Sequence, residues 1–185
     1  MKKNIKLLSG IIALLIASAG GYVVSDYSTG NSYSEIEDKE IAIELTRVID
    51  GDTIEFNRNG ENKKMRLLLI DTPESTTTKT GSAQPFGKES KEFLSEYLVG
   101  KKLSLEYEPT QEQEDQYGRT LAYLFADGEL VQEKLVAEGL ARVGYEKGQE
   151  IYLDDLNEAE KNAELDKKNI WSIKDYVGKY GFNNK

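Results

Sequence analysis

The stretch Ile49–Glu74 reads IDGDTIEFNRNGENKKMRLLLIDTPE and contains two hairpin signals followed by an apolar run. Asp50-Gly51 and Asn59-Gly60 favour tight turns, because glycine adopts positive φ without a Cβ clash. Leu67–Ile70 is a continuous apolar run of strand length, which predicts a strand buried on both faces. The stretch therefore predicts strands joined by short hairpins, with acidic residues at the strand ends.

Strand and helix patterns continue on both sides of this stretch. Upstream, Ile41, Ile43 and Leu45 recur at every second position, which is the period of a half-buried strand. The patterns predict strands at 41–46, 53–56, 64–70, 102–107, 119–125 and 140–145, and helices at 85–99, 129–138 and 151–168. This order predicts an α+β fold in which helices cover a small antiparallel barrel, because a closed barrel has no exposed sheet edge.

The composition restricts the chemistry that the chain can perform. Its 185 residues include no cysteine and no histidine, which excludes disulfides, thiolate nucleophiles, zinc–thiolate sites and imidazole acid–base catalysis. A metal site built from oxygen ligands alone favours a hard cation, calcium or magnesium. The net charge of −9 means that a polyanionic partner would need a local basic patch, since the overall field repels it.

The N-terminal residues have the pattern of an export signal. Three lysines accompany the apolar run Leu7–Ile16, and Ala17-Ser18-Ala19 has the small-residue form that signal peptidase recognises. We expect a signal peptide at 1–19, a polar linker at 20–40, a folded domain at 41–172 and a C-terminal tail without periodicity at 173–185. The expected location is extracellular. The alternative is an uncleaved membrane anchor, because Leu7–Val24 carries no charge.

Three carboxylates of the opening stretch are candidates for a functional site. Asp52 and Asp71 flank predicted strands, and Glu74 follows Pro73. Taken singly, each aspartate is more often a turn or capping residue than a ligand. Together they could supply hard oxygen ligands to one cation, and a carboxylate such as Glu74 beside a bound phosphate could orient or deprotonate a water.

Two arginines are candidates for phosphate binding. Arg66 leads into the apolar run, and Arg119 follows Tyr117-Gly118. An arginine is usually a solvated surface charge, but one at the start of a buried strand is costlier to place, which favours a specific anionic partner. Two guanidinium groups that meet at one phosphate could stabilise the charge of a phosphoryl-transfer transition state.

Three motifs together resemble the staphylococcal nuclease (thermonuclease) family over 41–172. These motifs are IDGDT at Ile49–Thr53, RLLLIDTPE at Arg66–Glu74 and DQYGR at Asp115–Arg119. Shorter matches extend the resemblance at Leu121–Tyr123, Asp127-Gly128 and Asn169–Ser172. The resemblance implies a five-stranded OB-type β-barrel with three α-helices. It also implies a calcium-dependent phosphodiesterase that cuts single- and double-stranded DNA and RNA with little sequence preference and leaves 3′-phosphate ends.

The resemblance also implies a role for each matched residue. By motif match, Ca²⁺ is expected to be held by Asp52, Asp71 and the Thr72 carbonyl. Catalysis is expected from a general base at Glu74 and from phosphate-binding arginines at Arg66 and Arg119. The remaining matches are a nucleotide phosphate contact at Tyr117, a residue against the bound base at Tyr145, and an acid behind the ion at Asp50. No protein partner is implied, and a monomer is expected.

Some features depart from the family pattern. Gln116 stands where a lysine is common, and the chain is acidic. Candidates for a local basic rim are Lys63, Lys64, Lys79, Lys88 and Arg142. Two alternatives remain open from the sequence: a non-catalytic nucleic-acid-binding module of the same fold, and a calcium-binding envelope-associated protein in which Asp52 and Asp71 only stabilise the fold.

Overall fold

The computed structural model of the chain describes residues 40–77, 82–148 and 150–183. The predicted signal peptide and nearly all of the predicted linker lie outside these residues. The strands are β1 (Ile41–Asp50), β2 (Thr53–Arg58), β3 (Glu61–Leu67), β4 (Ile70–Asp71), β5 (Leu103–Glu106), β6 (Thr120–Ala126), β7 (Glu129–Leu130), β8 (Arg142–Val143), β9 (Val177–Gly178) and β10 (Gly181–Phe182). The helices are α1 (Gly87–Tyr97), α2 (Val131–Ala137) and α3 (Leu153–Leu165), followed by a 3₁₀ turn at Asn169–Ser172.

Five strands close into a barrel, which confirms the predicted OB-type α+β fold. The order β3-β2-β1-β5-β6 is antiparallel throughout, and β7 extends it beyond β6. The barrel closes by a parallel pairing of β3 with β6, in which Arg66 lies opposite Leu121. The expectation of a purely antiparallel barrel is therefore wrong, because the closing seam is parallel. Inward-facing side chains such as Ile54, Met65 and Leu124 are fully buried and form the core.

The apolar run of the opening stretch is buried, but it is not one strand. β3 ends at Leu67, and Leu69 has a left-handed backbone with φ of 61° before the chain re-enters a sheet as β4. Ile70 and Asp71 then pair with β8 rather than with the barrel. The prediction of a continuous strand over 64–70 is wrong, because an apolar run reports burial and not the conformation of each residue.

The helices cover one side of the barrel, and their ends differ slightly from the sequence prediction. α1 begins at Gly87 instead of Pro85, and α2 begins at Val131 because Glu129–Leu130 pairs with β6 as β7. Leu135 and Leu156 are fully buried where α2 and α3 face the core. Among the described residues, no helix has the length and apolar character needed to cross a bilayer.

The segment after Ser172 contains regular structure that the sequence pattern does not indicate. β9 and β10 form a hairpin with Lys179 and Tyr180 at its turn. Tyr176 is buried beneath this hairpin, and its hydroxyl donates a 2.8 Å hydrogen bond to the carbonyl oxygen of Pro85. The hairpin is thereby fixed against the same side of the domain as the start of α1.

Candidate active site

The parallel seam of the barrel brings the two candidate arginines to one cavity. Arg66 lies on β3, and Arg119 immediately precedes β6, whose first residues pair with the end of β3. The cavity has a volume of about 280 Å³. Its lining residues are Asp52, Arg66, Leu68, Leu69, Asp71, Glu74, Gln111, Arg119, Leu121, Tyr145 and Lys147. Residues from the two distant motifs therefore share one concave site.

The two candidate metal ligands converge on Arg66. Its Nη2 lies 3.1 Å from Asp52 Oδ2 and 3.7 Å from Asp71 Oδ1. The guanidinium is held in place by a 2.8 Å hydrogen bond from Nη1 to the carbonyl oxygen of Leu67. All three charged side chains are nearly buried, so their interaction is only weakly screened by solvent. Arg66 therefore balances two carboxylates that would otherwise repel each other across the cavity wall.

Asp71 also contacts a third arginine, which the sequence motifs do not identify as part of the site. Arg142 Nε donates a 3.1 Å hydrogen bond to Asp71 Oδ2, and Arg142 Nη1 reaches the carbonyl oxygens of Val143 and Lys179. Burial raises the pKa of Asp71 above its ordinary value, while the charges of Arg142 and Arg66 oppose that rise. Arg142 itself is buried, so it does not belong to an exposed basic rim as expected.

Of the other rim candidates, Lys63, Lys64 and Lys88 are exposed but do not line the cavity, and Lys79 lies outside the described residues. A further basic residue, Lys147, lines the cavity, although the sequence did not identify it as a candidate. Lys147 lies in a loop without a recognisable sequence pattern, so its position could not be predicted.

Glu74 reaches the cavity through a tightly held backbone. Its N–H donates to the side-chain oxygen of Gln84, and its carbonyl oxygen accepts from the Gln84 N–H, both at 2.9 Å. Gly87 of α1 packs directly on this segment, where a Cβ would lie 2.4 Å from the Glu74 carbonyl oxygen. Asp50 Oδ1 accepts hydrogen bonds from the N–H groups of Gly51 and Ser75. Asp50 therefore supports the backbone beside Glu74.

Gly51 is required by close packing and not by its backbone angle. It is absent from the glycines with positive φ, so the turn argument for this glycine does not hold. A Cβ at Gly51 would lie 2.7 Å from the Ser90 Cβ and 2.8 Å from Thr72 Oγ1. The absence of a side chain allows the β1–β2 turn to approach Thr72 and α1 and places Asp52 beside Asp71.

Arg119 is oriented by an ion pair in which two of its nitrogens contact one carboxylate oxygen of Asp115. Its Nε and Nη2 both lie 2.7 Å from Asp115 Oδ2, while Asp115 Oδ1 accepts from the N–H groups of Tyr117 and Arg119. Burial alone would raise the pKa of Asp115, but these hydrogen bonds outweigh it and lower the pKa. Tyr117 is 76% exposed, with the Arg119 guanidinium carbon 5.7 Å from its ring centre.

Tyr145 lies at the mouth of the cavity. Its hydroxyl is 3.4 Å from Asp71 Oδ1, and the Arg66 guanidinium carbon lies 5.3 Å from its ring centre. The side chain is nevertheless 65% exposed, which leaves ring surface open to a ligand. Its backbone is left-handed, with φ of 62°. Such strain in a non-glycine residue persists only where the surroundings fix it, and it occurs often at binding sites.

The loops that bear these residues are joined by a buried carboxylate. Glu108 Oε2 accepts from the Tyr123 hydroxyl at 2.8 Å and from the Ile151 N–H at 3.1 Å, and Oε1 accepts from Thr110 Oγ1 at 3.0 Å. Burial raises the pKa of Glu108, but the hydrogen bonds outweigh this effect and lower it. Glu108 thus connects the loop before Arg119 to the loop after Tyr145.

The donor set fits a hard cation that takes part of its coordination from water. No group of three or more acidic side chains suited to a metal occurs within 40–77, 82–148 and 150–183. Asp52 and Asp71 nevertheless place carboxylate oxygens close together, and the Thr72 N–H contacts Asp52 Oδ2 at 3.3 Å. Thr72 Oγ1 is a buried oxygen that has no hydrogen-bond partner among the residues that the structure describes. Two carboxylates, a backbone carbonyl and waters are typical ligands of calcium.

These features define a class of protein: a small OB-type barrel whose closing seam brings two arginines and two aspartates to one cavity. Comparison with known proteins then identifies the family. The profile of the Staphylococcal nuclease homologue family matches residues 64–173. Endonuclease YncB of Bacillus subtilis (strain 168) is 39% identical over 163 residues, which cover 88% of this chain and 76% of that protein.

Two thermonucleases show the same similarity. That of Staphylococcus hyicus is 41% identical over 133 residues, which cover 72% of this chain and 77% of the relative. That of Staphylococcus intermedius is 34% identical over 169 residues, which cover 90% of this chain and 98% of the relative. The chain belongs to the staphylococcal nuclease family.

Proposed function

We propose that the chain is a calcium-dependent endonuclease that hydrolyses DNA and RNA with little sequence preference and leaves 3′-phosphate ends. The observation that carries the proposal is the convergence of Arg66 and Arg119 on one cavity that also contains Asp52, Asp71 and Glu74. The relatives are named as an endonuclease and as thermonucleases, which supports the same reaction class. Little sequence preference is expected, because contacts to phosphate and sugar carry no sequence information.

The proposed chemistry assigns a separate task to each part of the cavity. Arg66 and Arg119 bind the scissile phosphate and stabilise the additional negative charge of the transition state. Glu74 orients the attacking water and accepts its proton, with its backbone fixed by Gln84 and Gly87. Asp115 holds the Arg119 fork in a fixed direction, which lowers the entropy lost when a phosphate binds.

Asp52, Asp71 and the Thr72 carbonyl would hold the calcium ion. A bound calcium ion supplies positive charge that polarises the phosphate oxygens. Arg66 Nη2 contacts both carboxylates. Asp50 supports the site from behind through its hydrogen bonds to Gly51 and Ser75. Tyr145, which lines the cavity, would lie against the bound base. Tyr117 does not line the cavity but is exposed beside Arg119, where it would contact a nucleotide phosphate.

A plasmid-nicking assay tests the proposal. The wild type is expected to convert supercoiled plasmid to nicked and linear forms with calcium and to leave it intact with EDTA. Glu74→Gln and Arg119→Ala should each lower the rate by at least about a hundredfold. Fragment ends should accept a 5′ label directly but allow 3′ extension only after phosphatase treatment. Intact plasmid after incubation of the wild type with calcium would contradict the enzyme assignment, and wild-type rates for Glu74→Gln would remove that residue from the mechanism.

We also propose that the protein acts outside the cell. The proposal rests on the export pattern of residues 1–19. Mass spectrometry of the N-terminus of protein recovered from culture medium should give a chain that begins at Gly20. A protein found only in membranes with residues 1–24 intact would favour the anchored alternative.

A further inference from the structure

The C-terminal hairpin lies beside the proposed active site, and the family profile match ends at residue 173, before it. Asp71 forms the boundary between the two. Its Oδ1 faces Arg66 and the Tyr145 hydroxyl, whereas its Oδ2 faces Arg142. Arg142 in turn donates to the carbonyl oxygen of Lys179 at the hairpin turn. A Cβ on Gly181 would lie 3.8 Å from Asp71 Oδ2.

The hairpin is held rigidly by its own base. Tyr176 is buried, its ring packs 5.3 Å from that of Phe182, and its hydroxyl bonds to the Pro85 carbonyl oxygen. The Asn183 N–H returns to the Tyr176 carbonyl oxygen at 2.8 Å. An element that is fixed in this way can present a side chain to a ligand with little loss of conformational entropy on binding.

The tip of the hairpin carries an exposed aromatic ring and an exposed positive charge. Tyr180 is 87% exposed, and Lys179 Nζ lies 5.2 Å from its ring centre. A large aromatic side chain so exposed, next to a lysine, is the combination that single-stranded nucleic-acid sites use to stack a base and to neutralise its phosphate. No packing role within the described residues accounts for the Tyr180 ring.

The charges around the cavity favour a bound strand that leaves the cavity toward the C-terminal hairpin. On the Arg119 side, the loop that precedes Asp115 exposes Glu112 and Glu114, which repel phosphates. On the hairpin side, residues 174–183 contain two lysines and one acid. A polyanion that leaves the cavity past Asp71 and Arg142 therefore meets less repulsion than one that passes Glu112.

We propose that Lys179 and Tyr180 form an additional nucleic-acid subsite, in which Tyr180 stacks on a base of a single strand whose scissile phosphate lies in the cavity. The subsite rests on the nuclease function proposed above. It compensates in part for the acidic character of the chain by adding affinity outside the catalytic groups. It also predicts a preference for single strands over duplexes, because stacking on Tyr180 needs an unpaired base.

Steady-state cleavage of a single-stranded oligonucleotide of about 12 nucleotides tests the subsite. Tyr180→Ala is expected to raise KM by roughly 5- to 20-fold with kcat unchanged, which corresponds to one lost base stack. Tyr180→Phe keeps the ring and should retain the wild-type KM. Lys179→Ala should raise KM less than Tyr180→Ala and should make KM less dependent on salt concentration, because one phosphate contact is lost. Lys102→Ala, an exposed lysine at the opposite end of β6, is the charge-matched control and should have no effect.

Abasic substitutions separate stacking from a general effect on the fold. On a substrate whose bases are removed along one side of the scissile phosphate, wild type and Tyr180→Ala should have the same KM. Wild-type KM for Tyr180→Ala on the intact substrate would overturn the subsite, as would an equal rise on the abasic one. A concentration-dependent dimer that is lost in Tyr180→Ala would also overturn it.

Failure of the Tyr180 subsite can be distinguished from failure of the proposed nuclease function. If the wild type cleaves the oligonucleotide but Tyr180→Ala does so equally well, only the subsite fails. If the wild type does not cleave, the nuclease function fails. Fluorescence anisotropy with the same labelled oligonucleotide then decides whether Tyr180→Ala still weakens binding by the same 5- to 20-fold.

Discussion

Replacing Gly87 by alanine should impair catalysis through the backbone of Glu74. A Cβ at Gly87 would lie 2.4 Å from the Glu74 carbonyl oxygen and 2.6 Å from its carbonyl carbon, whereas ordinary contact begins at 3.4 Å. The added Cβ would therefore be about 1 Å too close to Glu74. No flexible side chain can relieve this overlap, because the two Glu74 atoms that it meets belong to the backbone. Two hydrogen bonds to Gln84 at 2.9 Å hold Glu74 in its present position.

The size of the effect follows from this displacement. A misplacement of about 1 Å at a catalytic group can lower the rate about a hundredfold, or about 2.7 kcal/mol in activation free energy. Overpacking should also reduce the free energy of unfolding by about 1–3 kcal/mol. The loss should appear mainly in kcat, because Gly87 does not line the cavity and Arg66 and Arg119 keep their positions.

The assay is calcium-dependent cleavage of a fluorescent oligonucleotide, with urea unfolding measured on the same samples. Gly148→Ala is the matched control, because a Cβ there has no neighbour within 4 Å and the position requires no positive φ. This control should keep wild-type kcat and stability. A Gly87→Ala variant that is stable and fully active would refute the reasoning, since either the contact is relieved without moving Glu74 or Glu74 does not take part in the reaction.

Three further predictions concern charge and metal. The pKa of Glu108 is lower in the folded protein than its ordinary value of 4.5. Ionised Glu108 therefore stabilises the fold above pH 4.5, and this stabilisation is lost as the pH falls through the pKa of the folded state. Glu108→Gln should therefore show a smaller decrease in the urea midpoint below pH 4.5 than the wild type does. Calcium at about 100 times its Kd should raise the free energy of unfolding by about 2.7 kcal/mol, and Asp71→Asn should abolish most of that increase in a thermal melt. Arg142→Met should cost about 3 kcal/mol in urea unfolding, because Asp71 keeps its burial but loses one of its two arginine partners.

Each of these predictions has a contradicting result. A wild-type pH profile in Glu108→Gln would show that its hydrogen bonds do not depend on ionisation. If calcium raised the free energy of unfolding of Asp71→Asn as much as that of the wild type, the ion would bind elsewhere. Wild-type stability of Arg142→Met, with Arg142→Lys as the charge-conserving control, would mean that solvent or Arg66 already satisfies Asp71.

Local patterns predicted most of the strands and helices, and the motif resemblance supplied the candidate residues. Alternation predicted the β1 strand from Ile41, and the Asp50-Gly51 turn was placed correctly, although Gly51 acts through close approach and not through positive φ. Motif resemblance placed Arg119 in the site, and the structure brings it to the same cavity as Arg66. The roles of these residues stay predictions.

The remaining features depend on contacts between distant parts of the chain. Arg142 shows no special pattern in the sequence, and its function is visible only because β8 pairs with β4 next to Asp71. Leu69 belongs to an apolar run that looks continuous, yet tertiary packing turns the backbone there. The hairpin at Lys179 and Tyr180 is too short to give a periodic signal and depends on the anchor at Tyr176.

The parallel seam between β3 and β6 also bears on the order in which the molecule assembles. Arg66 lies on β3 and Arg119 immediately precedes β6, and pairing these two distant strands requires closure of a long loop before any contact compensates for the lost entropy. Contacts of this kind form late relative to local hairpins such as β2–β3. A partly folded chain with an open barrel would therefore have the acids of the opening stretch without Arg119 beside them, so the cavity is complete only when the barrel closes.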